Sequence, residues 1–242
     1  MKWKESGDRV IDIGSGDGNV TNILKQFIPH NFDALVGCDI NKGMVKFANE
    51  HFGNRRTRFT LLDIEADLPE EMKQNFDHVF SFFALHWIQN QEKAFRNIYN
   101  LLSDDGDCLL TFLGHMPLYS AVTLLSETSK WSKWLTDLEK FVSPYHNFEE
   151  PDKHLMQMLK KIGFKQYDVR CKQKIYKYHS IQELKDAITA INPFKMPKEV
   201  FDNFFEDYVG IVRDMKLTHP TNNNAGDITV NYNLIVVYAS KS

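Results

Sequence analysis

Ten residues near the start, Val10-Ile11-Asp12-Ile13-Gly14-Ser15-Gly16-Asp17-Gly18-Asn19, constrain this chain more than any other stretch. A strand-like apolar run enters three alternate glycines and leaves into a helical pattern. A glycine turn at such a point lets backbone amides approach a ligand closely. The spacing also discriminates between ligands. The dinucleotide fingerprint G-x-G-x-x-G wants a glycine at position 19, where this chain has asparagine. The acidic residue before the turn, Asp12, suits a ligand carrying an ammonium group better than a pyrophosphate.

Strand-like and helical patterns alternate after the loop. Residues 9–13, 34–40, 58–64, 76–83 and 107–113 read as strands rich in Val, Ile, Leu and Phe. Residues 44–52 read as a helix, as do 91–102, where Ala94, Phe95, Ile98, Leu101 and Leu102 share one face. Such alternation predicts an α/β fold, a doubly wound, mostly parallel seven-stranded sheet with ligands at the carboxyl ends of its strands. The rhythm changes after Gly114. Residues 115–150 read as a mostly helical insertion, 151–162 as a helix ended by Gly163, and 165–178 as a strand. A second helical insertion covers 181–216, a turn 222–226, and a last strand 228–239. The two closing strands are expected as an antiparallel hairpin. The reading is one domain over 1–242, with a ligand-binding core at 7–115 and the insertions as a substrate cap.

Composition excludes several classes. A net charge of -3 is not that of a general nucleic-acid binder. The apolar runs are strand-length, so no membrane span is expected. Met1-Lys2-Trp3-Lys4 leads straight into the first strand, without a secretory leader. Cys38, Cys108 and Cys171 are far apart on apolar segments, which reads as reduced thiols rather than disulfides or a metal site, and as a cytoplasmic location.

Two more carboxylates follow strand signals. Asp39 ends the second strand and suits both hydroxyls of a ribose. Asp63 ends the third and suits an adenine amine, with Ile40 and Ile64 on either side of the ring. Strand-end aspartates also cap helices, and that reading stays open for Asp63.

Asp12-Ile-Gly-Ser-Gly-Asp-Gly18, Asp39-Ile40 and Asp63-Ile64 together resemble the class I S-adenosylmethionine-dependent methyltransferases over about residues 7–115. The resemblance implies S-adenosyl-L-methionine as cofactor, with Asp12, Gly14, Ser15 and Gly16 at its methionine end, Asp39 at the ribose, and Asp63 at the adenine. Ser81 would lie near the methionine amine and the methyl. Ser81-Phe82-Phe83-Ala84-Leu85-His86-Trp87-Ile88 would face the transferred methyl. There Trp87 is the candidate donor to an acceptor, because an indole N–H can only donate, and His86 is a second candidate.

More widely, the chain resembles the insect juvenile hormone acid O-methyltransferases. The similar segments include Gln74-Asn75-Phe76-Asp77-His78-Val79-Phe80-Ser81-Phe82, Leu85-His86-Trp87-Ile88, Ser143-Pro144-Tyr145-His146 and Ala190-Ile191-Asn192-Pro193-Phe194. This implies methyl transfer to a small hydrophobic carboxylic acid, a sesquiterpenoid, held by Trp87, His115, Tyr119, Trp131, Trp134 and Phe194. Another small acid or amine as acceptor, or a catalytically silent binding protein, stays open. The first strand starts at residue 9, without the N-terminal helical segment that the family carries over the cofactor, so weakened cofactor retention is expected.

Overall fold

The computed structural model describes residues 1–219 and 227–242, so the turn expected at 222–226 lies outside the described residues. Five parallel strands form the first part of the sheet: β1 (Arg9–Ile13), β2 (Ala34–Asp39), β3 (Thr57–Leu61), β4 (Phe76–Phe82) and β5 (Leu102–Leu113). Between them come α1 (Asn19–Leu24), α2 (Lys42–Phe52) and α3 (Gln91–Leu101). The remaining elements are α4 (Pro117–Ser126), α5 (Pro151–Ile162), β6 (Gln166–Tyr178), α6 (Ile181–Ile191), α7 (Lys198–Asp214), β7 (Thr218–His219) and β8 (Asp227–Ser240). The sheet order is β3-β2-β1-β4-β5-β8-β6, with the two-residue β7 beside β8.

The last long strands run antiparallel, as expected. Gly114 N donates to Asn233 O and Lys241 N to Gly106 O, so β8 runs against β5. Lys165 N donates to Ser240 O, while Lys177 pairs with Asp227 at the other end, so β6 runs against β8. The strand order turns at β1 and β4, which places their carboxyl ends at the sheet's switch point, where α/β folds bind ligands.

Local chemistry explains the boundaries. Val10, Ile11, Leu35, Val36 and Val79 are buried, the near-continuous apolar runs of a sheet covered on both faces. The Asn41 side chain accepts from Gly43 N and Met44 N, so α2 starts two residues before its apolar pattern. The Asn90 side chain caps α3 through Lys93 N. β3 stops at Leu61, not at residue 64. Asp63 turns the chain away, its side chain accepting from Glu65 N and its carbonyl from Ala66 N. β5 starts at Leu102, five residues earlier than expected, where Leu102 pairs with Phe76 across an irregularity.

The chain divides into two compact units. The first comprises Met1–Leu113, Phe148–Lys172 and Ile235–Ser242; the second comprises Gly114–Asn147 and Gln173–Leu234. Within the second, Leu118, Ala121 and Leu125 of α4 share a core with Leu184 of α6 and Phe204, Phe205, Tyr208 and Val212 of α7. Residues 115–150 are less helical than expected. Past α4 they hold only a short 3-10 turn at Leu138–Lys140, entered through Asp137 at a left-handed φ of 58°. No helix among the described residues is long and apolar enough to cross a membrane.

Candidate active site

The glycine loop joins β1 to α1 and is pinned to β2, since Gly14 N and Ser15 N both donate to Cys38 O, at 2.8 and 2.9 Å. Gly14 has φ 72°, and a Cβ on it would sit 2.1 Å from the Cβ of Ala84, so no larger residue fits. Gly16 has φ 53°, and a Cβ there would meet nothing within 4 Å. Its backbone borders open space.

Asp39, the last residue of β2, locks this loop from the other side. Its Oδ2 accepts from Gly16 N at 2.9 Å and its Oδ1 from Asn41 N at 2.8 Å. A carboxylate oxygen offers about two acceptor positions, so each keeps one for a ligand hydroxyl. Ser15 adds a buried hydroxyl with no hydrogen-bond partner among the described residues. The clear space over Gly16, the oriented carboxylate and this orphaned hydroxyl fit a ribose-bearing ligand with a polar amino-acid end. Ile40 beside them is 71% exposed, an apolar surface for a flat ring.

Other expected site residues are placed differently. Asp12 is 1% exposed, and its Oδ2 accepts from the Thr21 hydroxyl at 2.5 Å. Burial, opposed by that hydrogen bond and assisted by the nearby charge of Asp39, pushes its carboxyl up to about 7. It is therefore an interior brace between β1 and α1, not the exposed anion an ammonium group needs. Ser81 is fully buried and donates to Ile13 O at 2.9 Å, tying β4 to the last residue of β1. Asp63 is exposed but spends one oxygen on its own turn. Ile64 is 4% exposed, so its side chain lies in the core and leaves Ile40 as the accessible member of the expected pair.

The reacting edge follows β4. Phe83 N donates to Thr111 O at 2.8 Å, and Phe83 itself takes φ 54°. A bulky residue in that region costs on the order of 1–3 kcal/mol and persists where its surroundings demand the shape. Here the demand is visible, because the next residue, Ala84, must reach Gly14. A 3-10 turn, Leu85–Trp87, then presents His86 and Trp87, with Trp87 N donating to Ala84 O. Gln91, the first residue of α3, donates its side-chain amide to Leu85 O and Ile88 O, both at 2.7 Å, and so fixes the turn. Trp87 is half-buried, with its ring centre 4.7 Å from that of His86. His86 is buried, its Nδ1 has no hydrogen-bond partner among the described residues, and burial depresses its imidazole to about 3. It is neutral at physiological pH.

The remaining expected residues belong to the second unit. His115 and His146 stack with ring centres 4.7 Å apart, and Tyr119 meets His146 edge-on. Met116 N donates to Nδ1 of His146, so the neutral ring carries its proton on Nε2, toward the Ser120 hydroxyl at 3.1 Å. Burial, and then the adjacent His115, hold this histidine down to about 4. Trp131 is built into the core of the second unit more than the other rings expected to hold the substrate. It is buried, its indole N–H donates to Asp207, and its ring meets Phe204 edge-on. It is core. Trp134 and Phe194 are half-buried against the same core, the latter in edge contact with Phe141.

Phe83, Gln91 and His146 escaped the sequence reading. A left-handed φ leaves no trace at a phenylalanine, and the first residue of a helix gives no sign that it also braces the preceding turn.

Residues 11–110 match the family described as a methyltransferase domain. A juvenile hormone acid O-methyltransferase of Bombyx mori is 52% identical over 244 residues, covering all of this chain and 88% of that protein. The chain belongs to the juvenile hormone acid O-methyltransferase family. A Drosophila melanogaster protein of the same name is 41% identical over 249 residues, covering 100% of this chain and 84% of its own length. The fold is also that of the YcgJ protein of Bacillus subtilis, with a TM-score of 0.65 at 20% identity, covering 98% of this chain and 92% of that one. Family membership makes this chain an S-adenosylmethionine-dependent O-methyltransferase. The glycine loop and Asp39 are the parts of its structure that suit the cofactor.

Proposed function

We propose that this methyltransferase esterifies a hydrophobic sesquiterpenoid acid, juvenile hormone acid or farnesoic acid, at its carboxylate. The observation that carries the reading is the placement of Trp87. Ala84 abuts Gly14, and the 3-10 turn that carries Trp87 begins at the next residue, which supports Trp87 as the donor beside the cofactor loop.

S-adenosylmethionine supplies a methyl group on a positively charged sulfur, open to in-line displacement. A carboxylic acid with a pKa of about 4–5 is already ionised at neutral pH and needs no base. That agrees with His86, which is too weakly basic to serve as one. The chain's own task is to steer and to exclude water. Trp87 donates to one carboxylate oxygen, leaving the other as nucleophile; Gln91 holds the Trp87 turn; Asp39 and the amides around Gly16 set the nucleoside. In the second unit, Tyr119, Trp134 and Phe194 keep partly exposed aromatic surface that suits an apolar ligand. The three cysteines are free, with Cys38 and Cys108 buried and their thiols raised by burial, which supports a reducing, cytosolic setting.

The test is calorimetry with S-adenosylhomocysteine, followed by mass spectrometry of the product from farnesoic acid. Methyl farnesoate is the expected product. Cofactor-product binding without ester formation would shift the assignment to another acceptor or to a silent binding protein.

A further inference from the structure

We propose that Phe83 determines acceptor specificity: its ring is the wall against which the hydrocarbon chain of the acid lies beside the reacting carboxylate. The inference rests on the esterification reading and names a residue of that same site.

The argument separates what the fold requires of position 83 from what it does not. Four non-glycine residues have a positive φ among the described residues, and Gln74, Asp137 and Lys216 are polar, whereas Phe83 is aromatic. The backbone kink is required. Phe83 N must bond Thr111 O to finish the β4–β5 ladder, and Ala84 must then pack on Gly14. Glycine or asparagine would make that kink with less strain. The ring is not required. It is 50% exposed and makes no ring contact among the described residues. Its neighbour Phe82, by contrast, packs against the core of Val10, Leu24 and Phe32. A strained backbone carrying an unpartnered aromatic ring therefore points outside the fold for its purpose.

Position and chemistry name that purpose. Phe83 leaves the carboxyl end of β4 at the switch point of the sheet, four residues before Trp87. A phenyl ring cannot hydrogen-bond a carboxylate, but it can cover the apolar chain attached to one. Trp87 would then hold the head of the acid and Phe83 its first carbons.

Phe83→Asn keeps the left-handed backbone and removes the ring; Phe83→Leu keeps apolar bulk. Each is compared with the parent by melting temperature, by calorimetry with S-adenosylmethionine and S-adenosylhomocysteine, and by binding of farnesoic and hexanoic acids to the S-adenosylhomocysteine complex. For Phe83→Asn we expect an unchanged or higher Tm and nucleoside affinities within about twofold. Farnesoic acid binding should weaken by about tenfold, the size of losing contact with one or two methylene-equivalents, with hexanoic acid, which carries the same first carbons, weakened to a similar degree and Phe83→Leu intermediate. Farnesoic acid affinity within about twofold of the parent would overturn the proposal. So would a loss confined to S-adenosylmethionine, which would place the ring against the sulfonium instead. Failure of the parent itself to bind or esterify farnesoic acid would sink the esterification reading together with this inference, whereas normal parental activity with indifferent variants sinks the inference alone.

Discussion

Replacing Asp12 by asparagine removes a titrating group from the interior while keeping an acceptor for the Thr21 hydroxyl. In the folded protein burial raises this carboxyl to about 7, against 3.8 in an unfolded chain. The folded state therefore retains a proton that the unfolded chain releases. Stability from that proton is fully present below 3.8 and is lost as pH rises through 7, after which the deficit is constant. Integrating between those values, Asp12 costs the parent on the order of 2 kcal/mol at pH 5 and about twice that at pH 8, relative to a non-titrating residue. The asparagine amide introduces its own desolvation cost of about 1–3 kcal/mol, but that cost does not change with pH. The decisive quantity is therefore a difference of differences. Urea unfolding of parent and variant, without cofactor, should show stability moving in favour of Asp12→Asn by roughly 2–3 kcal/mol between pH 5 and pH 8. Parallel stability–pH curves would refute the assignment of Asp12 as a buried, proton-holding brace.

The two loop glycines should separate fold from ligand. Gly14→Ala drives a methyl into Ala84 and should unfold the loop, lowering Tm together with cofactor affinity. Gly16→Ala faces open space and should cost only about 1–2 kcal/mol of backbone strain, while calorimetry finds S-adenosylhomocysteine binding selectively lost. Asp39→Ala gives up the brace to Gly16 N and Asn41 N together with the proposed ribose contacts, and should weaken cofactor binding by about 1.5–3 kcal/mol. Trp87→Phe keeps aromatic bulk but removes the donor. Turnover of the acid should fall sharply with S-adenosylhomocysteine affinity nearly intact, and unchanged turnover would take that role from Trp87.

The elements that carry the candidate cofactor residues were readable from the sequence. Glycine spacing, an aspartate at the end of β2 and a tryptophan shortly after β4 are local features, since each depends on where a strand stops. Features that depend on contacts between distant residues were not readable. Asp12 looked like a ligand-facing anion until Thr21, nine positions on, proved to be its partner. Nothing near Trp131 in sequence showed that Asp207 and Phe204, more than seventy positions away, enclose it.

Read alone, the order of residues pointed to the α/β class, to the site of the glycine turn and away from a dinucleotide as the cofactor. Those follow from periodicity and from the few conformations that glycine alone tolerates. Only the three-dimensional arrangement decided which carboxyls are buried, which rings stay uncovered, and why Phe83 bears a strained backbone. Burial and hydrogen bonding set those outcomes, and both arise only when segments far apart along the chain pack together.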